Sequence, residues 1–218
     1  TAPLAALNVT ATGIALPAVN AASMTLTSNN GNVTQSGAAV ITGATAITAG
    51  AGTVTLQNAG NNFTSVTVAS SASTSIFDSN ALTVGPVTAV GDVLIQTNLA
   101  AGSDLTLAGN ITSTTGNVTL ASGDDIHYGA FAPSAPLGRW LTYSFSPATN
   151  TGTIPVPGGA KPNLYNCTFG GACGATIPAG NHNVYRYQPL LTYTANAANR
   201  QYGDPNPAFS GAVSGLVN

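Results

Sequence analysis

The 218-residue sequence has very few charged residues: four Lys or Arg, six Asp and no Glu. Only 5% of its residues are charged, whereas roughly one in four is charged in an ordinary soluble domain. Four basic residues cannot form the cationic cluster that nucleic-acid binding requires, so we expect no nucleic-acid partner. No apolar run approaches the roughly 18 residues of a spanning helix, so we expect no membrane span. Disorder is also excluded, because 44% of the residues are hydrophobic.

The composition changes near residue 130. All four basic residues, ten of the 13 prolines, both cysteines and the only tryptophan follow this point, whereas five of the six acids precede it. We therefore predict two structural regions that meet there, 1–128 and 129–190, followed by a third segment at 191–218.

The two cysteines, Cys167 and Cys173, stand six residues apart in the segment CTFGGAC, whose two glycines allow the chain to close on itself. No second pair and no neighbouring histidine is present, which argues against zinc. A reduced pair would be expected in a cytosolic protein. We favour a disulfide and an extracytoplasmic protein, in which a loop this short contributes at most roughly 2.4 kcal/mol.

Short segments in which Val, Ile, Leu and Thr alternate recur through the first 128 residues, and Gly-Asn, Gly-Asp or Gly-Thr opens many of them. The glycines that open the most similar segments are Gly31, Gly52, Gly91, Gly102 and Gly116. If the interval from Gly52 to Gly91 holds two coils and that from Gly91 to Gly116 holds one, four coils of about 21 residues separate Gly31 from Gly116.

This period favours a right-handed parallel β-helix over a β-sandwich. A sandwich would have evenly spaced hairpins and charged outward faces. In a β-helix each coil pairs with the coils above and below, small residues fit the corners, and outward Thr and Asn bond between coils. The sequence therefore predicts an all-β fold, with about five β-helix coils over 20–128, a small β-rich cap over 129–190 and a partial β-module at the end.

A family resemblance is carried by three segments and by the coil openings before them. The segments are LGRWLTYS (137–144), NLYNCTFG (163–170) and IPAGNHNVYRYQP (177–189). They resemble the part that follows the β-helical repeats in filamentous-haemagglutinin-like large exoproteins of the two-partner secretion type. This resemblance implies a secreted or surface-anchored bacterial adhesin shaft, located outside the cell or on its surface. It also implies passage through an outer-membrane transporter during secretion, and no enzymatic activity.

Residues 191–218 look like the beginning of an MBG domain, a small repeated β-module of bacterial surface proteins. The motif that carries this likeness is Tyr202, Gly203, Asp204, Pro205, Asn206 and Pro207, followed by the segment SGLVN. Only about the first third of such a module is present. We expect the rest to come from further chain or from a partner chain.

An enzyme would have to use Asp124, Asp125 and His127, with Arg139 downstream. β-helical polysaccharide lyases combine Asp-bound Ca²⁺ with a basic residue that accepts a proton. We found no second carboxylate one coil earlier in register, and Asp after Gly is ordinary turn chemistry. We therefore expect no enzyme, no cofactor and no metal site.

An aromatic group after residue 130 is the most concentrated apolar feature. One interpretation makes it a contact surface for a glycan or a protein, and the other makes it the core of a compact cap on the last coil. The residues that we predict for the contact surface are Trp140, Tyr143, Tyr165, Tyr185, Arg186 and Tyr187.

Three functional hypotheses follow. The first is a structural and adhesive segment whose partner is a host or surface glycan or protein. The second is a subunit of a self-assembling extracellular fibre, in which copies of the chain complete one another by strand addition. The third is a glycan-acting β-helix enzyme, which the acidic turn supports only weakly.

Overall fold

The computed structural model describes residues 2–158, 163–171, 173, 176–208 and 210–215. These residues form β-strands and no helix, which confirms the all-β prediction. They therefore contain no helix that could cross a membrane. In chain order the strands are β1 (Leu7–Ala11), β2 (Ile14–Leu16), β3 (Val19–Ala21), β4 (Met24–Ser28), β5 (Val33–Gln35), β6 (Ala39–Thr48), β7 (Thr53–Leu56), β8 (Asn62–Ser71), β9 (Ser73–Asp78), β10 (Leu82–Ala89), β11 (Val93–Thr97), β12 (Leu105–Leu107), β13 (Ile111–Ser113), β14 (Val118–Ala121), β15 (Ile126–His127), β16 (Pro133–Ser134), β17 (Trp140–Ser144), β18 (Asn163–Leu164), β19 (His182–Tyr185), β20 (Thr192–Ala195) and β21 (Gly211–Ser214).

Two sheets of parallel strands form the walls of a β-solenoid. The first sheet stacks β1, β4, β6, β8, β10, β12 and β15 in that order, and β3, β13 and β16 extend the same wall. The second sheet stacks β2, β5, β7, β9, β11, β14, β17, β19 and β18. Each circuit of the chain adds a strand to both sheets, so the fold is a parallel β-helix of about eight turns.

Side chains at equivalent positions form columns inside the solenoid. One column of the second sheet consists of side chains that are at most 6% exposed: Ile14, Val33, Val54, Thr74, Val93, Val118 and Trp140. Burial of a Val or Ile side chain contributes about 1.5–3 kcal/mol. Because a slip by one residue would turn the whole column outward, the alternation of apolar residues fixes the register of the coils.

Glycines form one corner of the solenoid because the coils there leave no room for a side chain. A Cβ atom on Gly52 would lie 1.9 Å from the carbonyl oxygen of Gly31, and one on Gly138 would lie 2.2 Å from that of Gly116. Gly91 lies over Ala72 at the same corner. Gly31 and Gly116 are therefore four coils apart, as the spacing predicted.

Asparagine and aspartate side chains next to this corner join successive coils. Asn32 Oδ1 accepts a hydrogen bond from the backbone N–H of Thr53 at 3.0 Å. Asp92 Oδ1 accepts one from Asn117 N–H at 2.7 Å, and Asn117 Oδ1 accepts one from Arg139 N–H at 3.0 Å. These bonds satisfy donors where the strands begin. Each Gly-Asn or Gly-Asp opening thus combines a close approach of the backbone with a bond between coils.

Residues 20–128 form about five coils, as predicted, but the predicted limits of the solenoid are wrong. β1 and β2 already pair with β4 and β5, so the stack begins before residue 20. At the other end β17 pairs in parallel with β14, and β19 pairs with β17. The region 129–190 therefore continues the solenoid through β16, β17, β18 and β19, and the predicted boundary at residue 128 falls inside the stack. The change of composition marks different side chains inside and outside the last coils.

The interior becomes polar in these last coils. The inward position that Leu120 occupies in β14 is taken by Thr142 in β17 and by Asn183 in β19. Thr142 Oγ1 donates to Asn183 Oδ1 at 2.7 Å, and Asn183 Nδ2 donates to the carbonyl oxygen of Pro155 at 3.0 Å. β19 lies between β17 and β18, so the sheet ends at the two-residue strand β18. A short edge strand limits unwanted pairing.

The described residues of 190–208 and 210–215 contain an antiparallel hairpin of β20 and β21, and all of them are exposed. Tyr193 pairs with Val213 on one face, and their side chains are 59% and 49% exposed. The predicted motif from Tyr202 to Pro207 lies in the exposed connection between the two strands. Because the hairpin is exposed, its outer strand edges and the apolar face of Tyr193 and Val213 are available for pairing. An isolated two-stranded sheet is marginally stable in water, so such pairing would stabilise it.

Candidate functional site

The structure buries three of the six residues predicted for a contact surface. Trp140 is 6% exposed and belongs to the solenoid core, and Tyr185 is 1% exposed. Tyr143 is 8% exposed. Tyr165 is half-buried, and its ring stacks on that of Tyr185 at 5.6 Å. The contact-surface prediction is therefore wrong for all three of these buried residues. Trp140 and Tyr185 lie on the inward faces of β17 and β19, whereas Tyr143 faces outward and is enclosed by a covering segment.

The covering segment is the strap, which we define as the described residues 166–171, 173 and 176–178. A disulfide joins Cys167 and Cys173 within it. Cys167 is buried, and it packs with Tyr143 in a hydrophobic cluster outside the second sheet. The Phe169 ring meets the Tyr143 ring edge to face at 5.2 Å. Burial beneath the strap raises the pKa of the Tyr143 phenol, and the positive charge of Arg139 opposes this rise.

A second group, which we call the ledge, consists of the exposed rings of Phe145 and Tyr187 and the half-buried Arg186. The Phe145 and Tyr187 rings stack with centroids 5.9 Å apart, and the Arg186 guanidinium lies 4.9 Å from the Phe145 centroid. Arg186 also donates to the carbonyl oxygens of Leu99 and Gly123, each at 3.3 Å. Arg186 thus connects the ledge to the backbone of earlier coils by hydrogen bonds. Tyr187 is the most exposed of the predicted contact residues.

Four titratable residues form a cluster on the surface of the first sheet: Asp104, Asp124, Asp125 and His127. Asp104 precedes β12 as Asp125 precedes β15, and these two strands are paired. The expectation that no carboxylate lies one coil earlier is therefore wrong. Asp104 could have been assigned to this cluster from the sequence, because its separation from Asp125 equals the length of one repeat. Arg139 lies at the start of β17 in the other sheet, and its Nη1 donates to the carbonyl oxygen of Pro178 at 3.0 Å.

Internal hydrogen bonds hold this acid cluster in place. Asp104 Oδ1 accepts from the backbone N–H of Asp125 at 3.1 Å, and Asp104 Oδ2 lies 3.4 Å from His127 Nε2. Asp124 Oδ2 accepts from the backbone N–H of Gly102 at 2.7 Å. The Thr149 hydroxyl donates to Asp125 Oδ1 at 2.5 Å. Every member of the cluster therefore takes part in a polar contact between neighbouring coils.

The chemistry open to the cluster is limited to cation binding or proton exchange. Partial burial raises the pKa of Asp125, and the negative charges of Asp124 and Asp104 add to the rise, whereas the Thr149 hydrogen bond and His127 oppose it. One oxygen from each of the three carboxylates lies within 4.8 Å of the others. They could supply three of the roughly six to eight oxygen ligands that Ca²⁺ takes. Exposed acidic groups often lie this close without an ion.

One family model is similar to part of the chain. A model described as repeats of unknown function (DUF5649) matches residues 4–70, which span β1 to most of β8. The match covers less than half of the chain and supports its description as a repeat protein. Neither the curated proteins nor the solved structures gave a significant match to the chain.

Proposed function

We propose that this chain is a rigid shaft segment of a secreted or surface-anchored bacterial adhesin of the filamentous-haemagglutinin-like kind. The observation that carries the proposal is the continuous core: one hydrophobic cluster extends from Ile14 to Trp140 through successive coils. A sharp bend would have to separate coils and break both the core and the parallel ladders. The stack is therefore expected to transmit force and to keep its length.

The surface of the shaft also supports an adhesive role. The weak charge removes long-range repulsion from other copies, polymers and cell surfaces. The ledge adds an exposed aromatic pair and a guanidinium group near the end of the stack. In this proposal the partner is a host or surface glycan or protein, the protein works outside the cell, and an outer-membrane transporter exports it.

Adhesion can be measured with beads coated with the chain and exposed to flow over cells or abiotic surfaces. We expect the coated beads to be retained more strongly than beads coated with albumin. Tyr187→Ala removes the most exposed ring of the ledge and should reduce retention if the ledge makes contact. Thr25→Ala is a matched control, because Thr25 is exposed on the first sheet. Retention no greater than that of albumin-coated beads would contradict an adhesive role.

The exposed hairpin favours a second candidate function, a subunit of a self-assembling fibre. β20 and β21 pair only with each other among the described strands, so each has an edge open to another copy. We expect a fibre subunit to oligomerise as its concentration rises in sedimentation velocity experiments. Val213→Asp should block this association, whereas Thr194→Lys, on the opposite face of the hairpin, should have a smaller effect. A chain that stays monomeric at every concentration would contradict the fibre hypothesis.

Our proposal assigns no catalytic activity to the chain. The acid cluster is the arrangement on which a glycan-acting β-helix enzyme would depend. Prolonged incubation with oligosaccharides and Ca²⁺ should leave the substrates unchanged. Cleavage that is lost in the Asp125→Asn variant would overturn this part of the proposal.

A further inference from the structure

A shallow groove of about 380 Å³ lies on the outer face of the second sheet, next to the strap. Outward side chains from three successive coils line its floor: Ser75 of β9, Leu94 of β11 and Thr119 of β14. Asp92 forms part of one rim, and the Phe169 ring of the strap also lines the groove. This volume lies within the roughly 300–1,000 Å³ of typical ligand sites.

The polar groups of the groove have free hydrogen-bonding capacity. Within the described part of the chain, the hydroxyls of Ser75 and Thr119 make no hydrogen bond. Asp92 Oδ1 accepts from the backbone N–H and from Nδ2 of Asn117, at 2.7 and 3.2 Å. Its other oxygen has no partner among the described residues. The groove thus combines two open hydroxyls and a carboxylate oxygen with the apolar surfaces of Leu94 and Phe169.

We propose that this groove binds a neutral oligosaccharide that lies along the solenoid axis. A sugar ring has apolar C–H faces that suit Leu94 and the Phe169 ring, and hydroxyls that can pair with the open polar groups. The floor groups of successive coils repeat at about 4.8 Å, a spacing similar to the length of one sugar unit in an extended chain. This inference names the class of ligand that the proposed adhesin would bind. Its biological role rests on the proposed adhesive function, but sugar binding by the groove can be tested without it.

Charge and backbone pairing favour a neutral sugar over other ligands. Asp92 is the charged residue that lines the groove, and a bound anion would be repelled by it. A peptide that adds a strand to a sheet needs a free strand edge. β9, β11 and β14 are each paired on both sides, so the groove offers side chains only.

Isothermal titration calorimetry of the whole chain with cellohexaose, chitohexaose and maltohexaose tests the inference. We expect at least one of these sugars to bind. Its mono-, di- and trisaccharides should bind with an affinity that rises with length up to about three sugar units, because the floor spans three strands. Thr119→Trp fills the groove and should weaken binding at least tenfold. Thr88→Trp places the same side chain on the outer face of the first sheet and should leave the affinity unchanged.

A second variant tests the chemistry without filling the groove. Asp92→Asn keeps an oxygen for the N–H of Asn117 but replaces the open carboxylate oxygen with an NH₂ group. We expect about tenfold weaker binding, because a charged acceptor is lost.

Three results would overturn the proposal: no binding of any of the three neutral sugars, an equal loss in Thr88→Trp, or binding only of charged polysaccharides or peptides. The bead assay separates this inference from the adhesin proposal. Retained beads without sugar binding would refute the groove and leave the adhesin role standing. Sugar binding without bead retention would support the groove and contradict the adhesin role.

Discussion

The substitution Gly52→Ala tests whether the coil-opening glycines hold the coils together. A Cβ atom on Gly52 would lie 1.9 Å from the carbonyl oxygen and 2.3 Å from the carbonyl carbon of Gly31. Real Cβ atoms essentially never approach another atom closer than 3.0 Å. Both contacts are with backbone, so no side-chain rotation can relieve them. The two coils would have to separate locally.

The size of the effect follows from this separation. Moving the Gly31 carbonyl away by roughly 1 Å would weaken the adjacent inter-coil hydrogen bonds and open the dispersion contacts beneath them. Overpacking typically costs about 1–3 kcal/mol, and a backbone clash belongs at the upper end. We therefore expect Gly52→Ala to lower the free energy of unfolding by about 3 kcal/mol. For a solenoid of this size, this corresponds to a fall of about 6–12 °C in Tm.

Gly13 provides a matched control, because it also lies at a coil opening, one coil before Gly31. The nearest atom to a Cβ on Gly13 would be the carbonyl oxygen of Asn32 at 3.8 Å, which is an ordinary contact. Gly13→Ala should leave Tm unchanged or raise it slightly. Thermal unfolding followed by circular dichroism measures both variants. A Gly52→Ala protein that melts within about 2 °C of the wild type would refute the reasoning, and so would an equal loss in Gly13→Ala.

Three further predictions concern buried groups. Asp78 is fully buried, and burial raises its pKa from 3.8 to about 6. The folded state therefore binds more protons than the unfolded state between these values, so the free energy of unfolding should fall as pH rises through this window, by up to about 3 kcal/mol. Urea unfolding at several pH values should show this slope, and Asp78→Asn should remove it. Asn183→Ala leaves the Thr142 hydroxyl without its acceptor, so urea unfolding should show a loss of about 2 kcal/mol, and a loss below about 0.5 kcal/mol would contradict the role of this pair. Replacing Cys167 and Cys173 by Ser should cost at most roughly 2.4 kcal/mol and make the strap the first site of proteolysis, whereas an unchanged cleavage pattern would contradict its role.

The repeat and the fold class could be predicted because they depend on local rules. Alternating Val, Thr and Leu residues predict strands with one buried face, and the glycine spacing gives the length of a coil. The close contact between Gly52 and Gly31 shows why the spacing is informative. A glycine is required wherever two coil corners meet without room for a Cβ.

The ends of the solenoid could not be predicted from the same rules. β17 has Trp and Thr where earlier coils have Val and Leu, and β19 follows it after an insertion, so the period is lost although the stacking continues. All five residues of β17 are buried, since the solenoid encloses one face and the strap covers the other. A sequence pattern reports alternation on a strand but not a loop that returns to cover its outer face.

The candidate sites show the same limit. The acid cluster could have been found from the repeat length, because Asp104 and Asp125 lie one coil apart in equivalent positions. The groove could not, because Phe169 reaches it through the disulfide-linked strap. The number of aromatic residues was visible in the sequence but their burial was not, so the sequence could not decide between a contact surface and a packed core.

The continuous stacking of coils is tested most directly by distances between spin labels along one column. Thr10, Thr88 and Ser134 are exposed on the first sheet, in the first, fifth and seventh coils of the stack. With about 4.8 Å per coil, labels at Thr10 and Thr88 should lie about 19 Å apart and labels at Thr10 and Ser134 about 29 Å apart. Narrow distributions that grow in proportion to the number of coils would support a rigid solenoid shaft. Broad distributions, or a distance that does not increase from Thr88 to Ser134, would contradict it.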